Sequence, residues 1–198
     1  MRVLLCGFRF FIMKRSIIYI VIVSVIAFLT FGFTMVSQIK IPFAKIEKTI
    51  RKQIGDQSFK LNSVVGLDDR LLHTEIFTID VDNHTSGYVY VSRLNSCRAG
   101  GCAISSISGD PAFEYFDYFF ITDSTGKVLK VTIYNYQATH GQQVMSRGWL
   151  KQFIGFRGDQ KLYYGSDIQA ISGATISAKA ITVDIQEAES LIISMINK

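Results

Sequence analysis

Small and hydroxyl-bearing residues form the run Ser172-Gly173-Ala174-Thr175-Ile176-Ser177, directly before the last apolar segment of this 198-residue chain. The N-terminus of a helix offers unpaired N–H groups and a partial positive charge, which favour a phosphate. Gly173 and Ala174 allow a ligand to approach closely, and Thr175 adds a hydroxyl at the same place. The alternative is that these residues only cap the helix. The following segment predicts a long C-terminal helix from Ser177, because apolar residues recur at helical spacing: Ile181, Ile185, Ala188, Ile192 and Met195.

The same run resembles the attachment motif of the FMN-binding domain family. That fold is shared by the periplasmic flavoprotein subunits of the Na⁺-pumping NADH:quinone oxidoreductase and of the Rnf complex. In the family, the Thr of S-G-A-T carries FMN through a phosphoester bond made by a flavin transferase. The upstream segments YFFITDSTGKVLKVTIYNYQATHGQQV and WLKQFIGF are also similar to the family's strand, turn, strand and following loop. The resemblance covers about Gly87 to Lys198.

The resemblance implies that FMN is the cofactor and that Thr175 is the attachment residue. Ser172, Gly173, Ala174 and Ser177 would then surround the phosphate. One position departs from the family pattern, because the Asp expected six residues before the Thr is Gln169 here, and the nearest acid is Asp167. FMN binding with the covalent bond and FMN binding without it therefore both stay open.

Two further residues are candidate contacts of the cofactor. His140 lies in a polar turn that matches the family, and its alternative interpretation is a solvated loop residue. Trp149 has an aromatic surface that could stack on the isoalloxazine ring, and its alternative is packing of a helix onto the sheet. No Ser-His-Asp arrangement or carboxylate pair is supported by spacing, so no catalytic residue is expected.

Cys97 and Cys102 lie together in NSCRAGGC, with two glycines between them. Outside the cytoplasm, this spacing predicts a small disulfide loop. A redox-active pair and two free thiols are the alternatives. Two cysteines cannot ligate an iron–sulfur cluster, and the three histidines are scattered, so no metal site is expected.

An uncharged segment of 24 residues, 16–39, is long enough to span a bilayer as a helix. It is longer than the apolar part of a cleaved signal peptide, and no A-x-A site follows it. The sequence therefore predicts an uncleaved anchor rather than a removed signal, with Met13 as an alternative start to Met1. A short basic lead usually stays in the cytoplasm, which places the domain on the extracytoplasmic, periplasmic side.

Charge is distributed unevenly along the chain. The first 55 residues hold nine of the 21 Lys and Arg but one of the 16 Asp and Glu, so the remainder is slightly acidic. Nucleic acid is therefore not an expected partner, whereas basic flanks suit an anionic membrane surface. The expected organisation is a basic cytoplasmic lead at 1–15, the transmembrane anchor at 16–39, a juxtamembrane helix and linker at 40–66, and the extracytoplasmic FMN-binding domain at 67–198. Ile46, Ile50 and Ile54 recur at helical spacing in the juxtamembrane helix, which is either a connector or a helix lying on the lipid surface.

The predicted fold is α+β, with a mainly antiparallel sheet and packed helices, preceded by one N-terminal transmembrane helix. Alternation of β-branched and aromatic residues predicts strands in 71–81, 86–94, 116–122 and 128–136, the last two joined by the turn DSTGK. Residues 161–169 are also expected to be extended.

Together these features predict a membrane-anchored flavoprotein that binds FMN and carries electrons for membrane redox partner proteins. The flavin would supply the redox chemistry, and the protein would fix it in place. A redox carrier or a subunit of an oxidoreductase is favoured over a stand-alone enzyme, because the chain has no nicotinamide-binding fingerprint. The alternatives are a thiol–disulfide module using Cys97 and Cys102, and a flavin-free anchored interaction domain.

Overall fold

The computed structural model describes residues 39–55, 57–64, 73–98, 113–158 and 160–197, without the side chains of residues 97, 98 and 113. The chain divides into two units, Met1–Val36 and Ser37–Lys198, and the described residues belong to the second. The predicted anchor at 16–39, except its last residue, and the predicted bond between Cys97 and Cys102 lie outside what is described. Within the described ranges, no helix combines the length and the apolar character that crossing a membrane requires.

Five strands form a single antiparallel sheet in which each strand pairs with its neighbour along the chain, in the order β1-β2-β3-β4-β5. The predicted α+β fold with an antiparallel sheet is therefore confirmed. The elements in chain order are α1 (Phe43–Ile54), β1 (Lys60–Ser63), β2 (Thr74–Val81), β3 (His84–Arg98), β4 (Phe113–Asp123), β5 (Val128–Tyr136), a 3₁₀ turn (Gln142–Met145), the short α2 (Arg147–Leu150), a second 3₁₀ turn (Lys151–Phe153) and α3 (Thr175–Ile196).

The sheet is buried on both faces, because successive side chains of a strand point to opposite sides. In β4, Phe116, Tyr118 and Phe120 belong to the core under α3, whereas Phe119 and Ile121 belong to the core under α1. All five side chains are at most 1% exposed. The aromatic residues of β4 therefore contribute to the core on both faces of the sheet.

Helix α1 packs on one face of the sheet. Its side chains Ile46 and Ile50 are buried against Phe77, Val89 and Phe119. The predicted helix is present, and the sheet is the partner of its apolar stripe. Lipid therefore does not cover this stripe.

Helix α3 covers the other face. Four of the five residues of the predicted apolar stripe are buried in the core, and Met195 is partly buried against it. The helix begins at Thr175, two residues before the predicted start at Ser177. This correction matters because it places the hydroxyl of Thr175 in the first turn of the helix.

Residues 161–169 are not a strand, so the expectation of an extended segment is wrong. The carbonyl of Tyr163 accepts N–H groups from Ser166, Asp167 and Ile168, which folds the chain back on itself. Gly165 has φ +97°, a left-handed conformation that favours glycine. The turn-forming glycine and aspartate outweigh the β propensity of the neighbouring tyrosines.

Candidate functional site

The first turn of α3 has free hydrogen-bonding capacity. Thr175 is its first residue and is exposed, and Ala174 before it is buried. Ala174 has no side-chain oxygen, and within the described part of the chain no side-chain cap bonds to this end of the helix. The N–H groups of the first turn therefore have no side-chain cap, and the exposed Thr175 is accessible to solvent or to a bound anion.

Hydrogen bonds of Ser177 fix this helix start to the sheet and to the loop after β5. The Ser177 hydroxyl lies 2.7 Å from Ser96 Oγ and 3.0 Å from the Tyr136 hydroxyl. Tyr136 donates to the carbonyl of His140 at 2.6 Å. Ser177 is only 2% exposed, and its hydroxyl is bonded to Ser96 and Tyr136. These bonds hold the start of α3 in place.

Gly141 allows this loop to approach the helix. Its φ is +88°, and a Cβ there would lie 2.7 Å from the Tyr136 hydroxyl and 3.0 Å from Ser177 Oγ. Both distances are too short for an ordinary contact. A side chain at Gly141 would therefore push the loop away from the start of α3.

An open cleft of about 520 Å³ lies beside the helix start. Its volume falls within the range of small-molecule sites, about 300–1,000 Å³. Most of its lining is polar or small, with one indole in its wall. The lining residues are Gln143, Ser146, Gly148, Trp149, Gln152, Gln169, Ala170, Ile171 and Ser172.

Trp149 and Gln152 hold the segment that leads into Ser172. The indole N–H of Trp149 donates to the Gln169 carbonyl at 2.7 Å, and the Gln152 side-chain oxygen accepts the Gln169 N–H at 2.7 Å. Gln152 also donates to the Trp149 carbonyl at 3.1 Å. Both backbone groups of Gln169 are thereby fixed, while its side chain is exposed at the cleft.

Trp149 packs in the core, which is the alternative considered from the sequence, and it also lines the cleft. It is 6% exposed and its ring meets Phe153 edge-on with centroids 5.3 Å apart, so most of the indole packs in the core. The remainder borders the cleft. Because so little of Trp149 is exposed, a ligand in the cleft can contact only a small part of its ring.

His140 lies on the exposed loop that borders the helix start, with its side chain in solvent. Its backbone carbonyl is the group that bonds to Tyr136. The neighbouring Thr139 donates through its N–H and its hydroxyl to Glu114, and these two bonds lower the pKa of Glu114. The two hydrogen bonds from Thr139 therefore fix the loop to β4 at the position next to His140.

A second polar cluster lies under the middle of α3. Asp184 accepts hydrogen bonds from Tyr118 at 2.5 Å and from Tyr90 at 3.2 Å. Burial raises the pKa of Asp184 to about 6, and the two phenol hydrogen bonds partly oppose this rise. The same burial raises the pKa of both tyrosines. This cluster belongs to the packing of α3 on the sheet.

Among the predicted residues, Thr175 and Ser177 lie in the first turn of α3, and Ser172, Gly173 and Ala174 lead into it. The loop of His140 is linked to Ser177 through Tyr136, and Trp149 lines the cleft. The glutamines Gln143 and Gln152 were missed. No local pattern marks Gln152, since its partner Gln169 lies 17 residues further along the chain. The helix start fits a phosphate, and the adjoining cleft has room and polar groups for a ring system that carries hydrogen-bonding atoms.

Residues 117–189 match the family model of the FMN-binding domain. The matched stretch begins in β4 and includes the His140 loop, the cleft and the start of α3. None of the curated proteins compared with the chain matches it.

Proposed function

We propose that this chain is a membrane-anchored extracytoplasmic flavoprotein that carries electrons. Residues 117–189 make it a member of the FMN-binding domain family, with FMN as its cofactor. The observation behind this proposal is the exposed hydroxyl of Thr175 at the uncapped start of α3, beside a cleft of suitable size. When bound, FMN supplies the redox chemistry. The residues of the chain bind it, orient it and limit its contact with water.

The start of α3 is the proposed position of the FMN phosphate. Its first-turn N–H groups donate to phosphate oxygens, and the helix dipole favours the negative charge. Gly173 has φ +78° and, like Ser172, is exposed, so the backbone there can come close to the phosphate. The flavin ring occupies the cleft, where Gln143 and Gln169 offer side-chain amides to its polar edge.

Covalent attachment through Thr175 is the second part of the proposal. The Thr175 hydroxyl is accessible to a flavin transferase, whereas the Ser177 hydroxyl is buried and already bonded. Between these two hydroxyls of the first turn, Thr175 is therefore the acceptor. Gln169 supplies no carboxylate at the position where the family motif has Asp.

The anchor, the location and the partners are proposed from the sequence. The uncharged segment 16–39 spans the membrane, the domain lies on the periplasmic side, and membrane redox proteins exchange electrons with the flavin. In that compartment Cys97 and Cys102 form a disulfide.

Thr175→Val tests the acceptor. Valine has nearly the shape of threonine, so only the hydroxyl is lost, and covalent flavin should disappear while the fold is kept. The measurement is the intact mass and in-gel flavin fluorescence of denatured full-length protein, co-expressed with a flavin transferase. Thr175→Ser should keep part of the label, and Ser172→Ala is the matched control that removes a neighbouring hydroxyl. Label that persists in Thr175→Val would exclude this residue as the acceptor.

Carbonate washing of membranes tests the anchor. The full chain should stay in the membrane fraction, because an apolar span resists alkaline extraction. A reporter fused after Lys198 should be active only outside the cytoplasm. Release of a protein trimmed near Gln38 would show a cleaved signal instead.

A further inference from the structure

Cations are concentrated on the outer side of α1. Lys45, Lys48 and Lys52 are all exposed. At about 100° per residue, they fall on one stripe roughly opposite the buried Ile46 and Ile50. These three residues are called the lysine stripe below.

The fold does not use the charges of the lysine stripe. Within the described ranges, none of its three side chains forms an ion pair or a hydrogen bond. The helix is held to the sheet by its isoleucines. Arg51 beside the stripe packs over the Phe59 ring at 5.4 Å, and Glu47 is the only acid in the helix. A surface of uncompensated positive charge therefore remains on this side of the domain.

The chain itself restricts how far α1 can be from a bilayer. Only Lys40, Ile41 and Pro42 lie between the apolar segment 16–39 and the first residue of α1. Three fully extended residues reach roughly 10 Å. The polar headgroup layer on each side of the hydrocarbon core is several ångströms thick. If the apolar segment is the anchor, α1 must begin within or next to that layer.

We propose that the lysine stripe docks the domain on anionic phospholipid headgroups. This inference rests on the anchor in the proposed function. Headgroup phosphates attract cations that lie within a Debye length of the surface, and the stripe supplies them without disturbing the isoleucines on the sheet. The apolar side of α1 is occupied by protein, so the helix contacts headgroups and does not insert into the acyl chains.

Docking through α1 has a consequence for the flavin site. Trp149, Ala174 and α3 belong to the core on the opposite face of the sheet. The sheet therefore lies between the headgroups and the cleft. Redox partners would reach the flavin from the side away from the lipid.

Lysine acetylation of the full chain in nanodiscs tests the docking. One set of discs contains phosphatidylcholine alone, and the other contains phosphatidylcholine mixed with phosphatidylglycerol. Lys45, Lys48 and Lys52 should react roughly five-fold more slowly with the anionic discs, and high salt should restore the rates. The exposed Lys151 and Lys161 are internal controls and should react equally in both discs.

A pair of charge-reversal variants completes the test. Lys48→Glu/Lys52→Glu should remove the protection of Lys45 without releasing the chain from the disc, and Lys151→Glu/Lys161→Glu should leave it unchanged. Equal acetylation in both discs, with the chain co-eluting with them, would overturn the docking and leave the anchor intact. Protection seen only in native membranes would also overturn it, in favour of an acidic protein partner. A chain that elutes apart from the discs would overturn both the anchor and the docking.

Discussion

Gln169 makes its structural contributions through its backbone, and its side chain takes no part in holding the segment that leads to Ser172. Trp149 and Gln152 bond to its carbonyl and its N–H, and neither bond depends on which side chain Gln169 carries. A substitution there can change the chemistry at the cleft without moving the segment that leads to Ser172. Because the side chain can be changed without disturbing these backbone bonds, Gln169 is a suitable position for testing whether the carboxylate of the family motif affects FMN attachment.

Gln169→Asp should increase the fraction of protein with covalent FMN, because it restores the carboxylate of the family motif on an unchanged backbone. The labelled fraction is measured by intact mass after co-expression with a flavin transferase. Gln169→Asn is the matched control, since it has the shape of Asp without the charge and should not increase the labelled fraction. Equal labelling of wild type and both variants would show that the carboxylate does not limit transfer.

Trp149→Phe should weaken FMN binding by about 1 kcal/mol, or roughly five-fold, because the Gln169 carbonyl loses its donor while the aromatic packing largely remains. The affinity is measured by flavin fluorescence titration in a Thr175→Val background, where no covalent bond masks the effect. Gln152→Leu should act similarly, and the double variant should cost less than the sum. An unchanged affinity in both single variants would show that the clamp on Gln169 does not position the ligand.

At the scale of single residues, the sequence predicted the members of the motif around Thr175. It missed the residues that hold this motif in place through hydrogen bonds. Thr175 and its neighbours form a contiguous pattern that resembles a known family. Gln152 acts on a backbone group far along the chain, so no spacing marks it. Asp184 is similar, because its two phenol partners come from β3 and β4.

At the scale of elements, the loop after β5 and the start of α3 act as one unit. Gly141→Ala should destabilise the protein more than Gly165→Ala does. Both glycines have positive φ, so both variants carry a backbone cost of about 1–2 kcal/mol. A Cβ added at Gly141 collides with Tyr136 and Ser177. A Cβ added at Gly165 has no atom within 4 Å other than those of its chain neighbours. We expect a further loss of roughly 1–3 kcal/mol at Gly141.

Thermal unfolding of the full chain in mild detergent measures this difference. Gly141→Ala should also lower FMN affinity, because it moves the helix start that is the proposed position of the phosphate. Gly165→Ala should leave the affinity close to that of wild type. Identical melting curves for the two variants would show that the loop after β5 rearranges around the added Cβ without a loss of stability.

The sequence predicted the type of each helix and strand better than it predicted the surface against which each one packs. The 3.6-residue period identified α1 and α3, and the two-residue period identified the central strands. The period of α1 could not indicate whether lipid or protein covers its isoleucines, since either apolar surface satisfies the same pattern. The turn at 161–169 was missed because the tyrosine pair suggested a strand more strongly than one glycine suggested a turn.

At the scale of the whole molecule, Asp184 links stability to pH. Its pKa is raised to about 6 by burial, compared with about 3.9 for an unperturbed Asp. Between these two values the folded protein keeps the proton that the unfolded chain has lost. The contribution of Asp184 to folding stability is therefore complete below about pH 4 and falls as the pH rises through 6.

Asp184→Asn should remove this dependence, because the amide is neutral at every pH. The stability of wild type relative to the variant should fall by roughly 2–3 kcal/mol between pH 4 and pH 7. Thermal melting across this range measures the difference. Tyr118→Phe should shift the fall to higher pH, since the Tyr118 hydrogen bond lowers the pKa of Asp184. A pH-independent difference would mean that Asp184 does not titrate with a raised pKa.

The simple order of the sheet has a consequence for how the protein matures. Because every strand pairs with its chain neighbour, the sheet can form hairpin by hairpin in the order of synthesis, through contacts of short sequence separation. Helix α3 comes last, so the core that contains Phe116, Tyr118 and Phe120 stays incomplete until this 22-residue helix docks, although Val144, Trp149 and Phe153 of the same core precede it. The first turn of α3, with Thr175, also takes its place only at that step. If Thr175 carries the flavin, as proposed, its attachment site is complete only after α3 has docked, and covalent flavin would mark a chain that has finished folding.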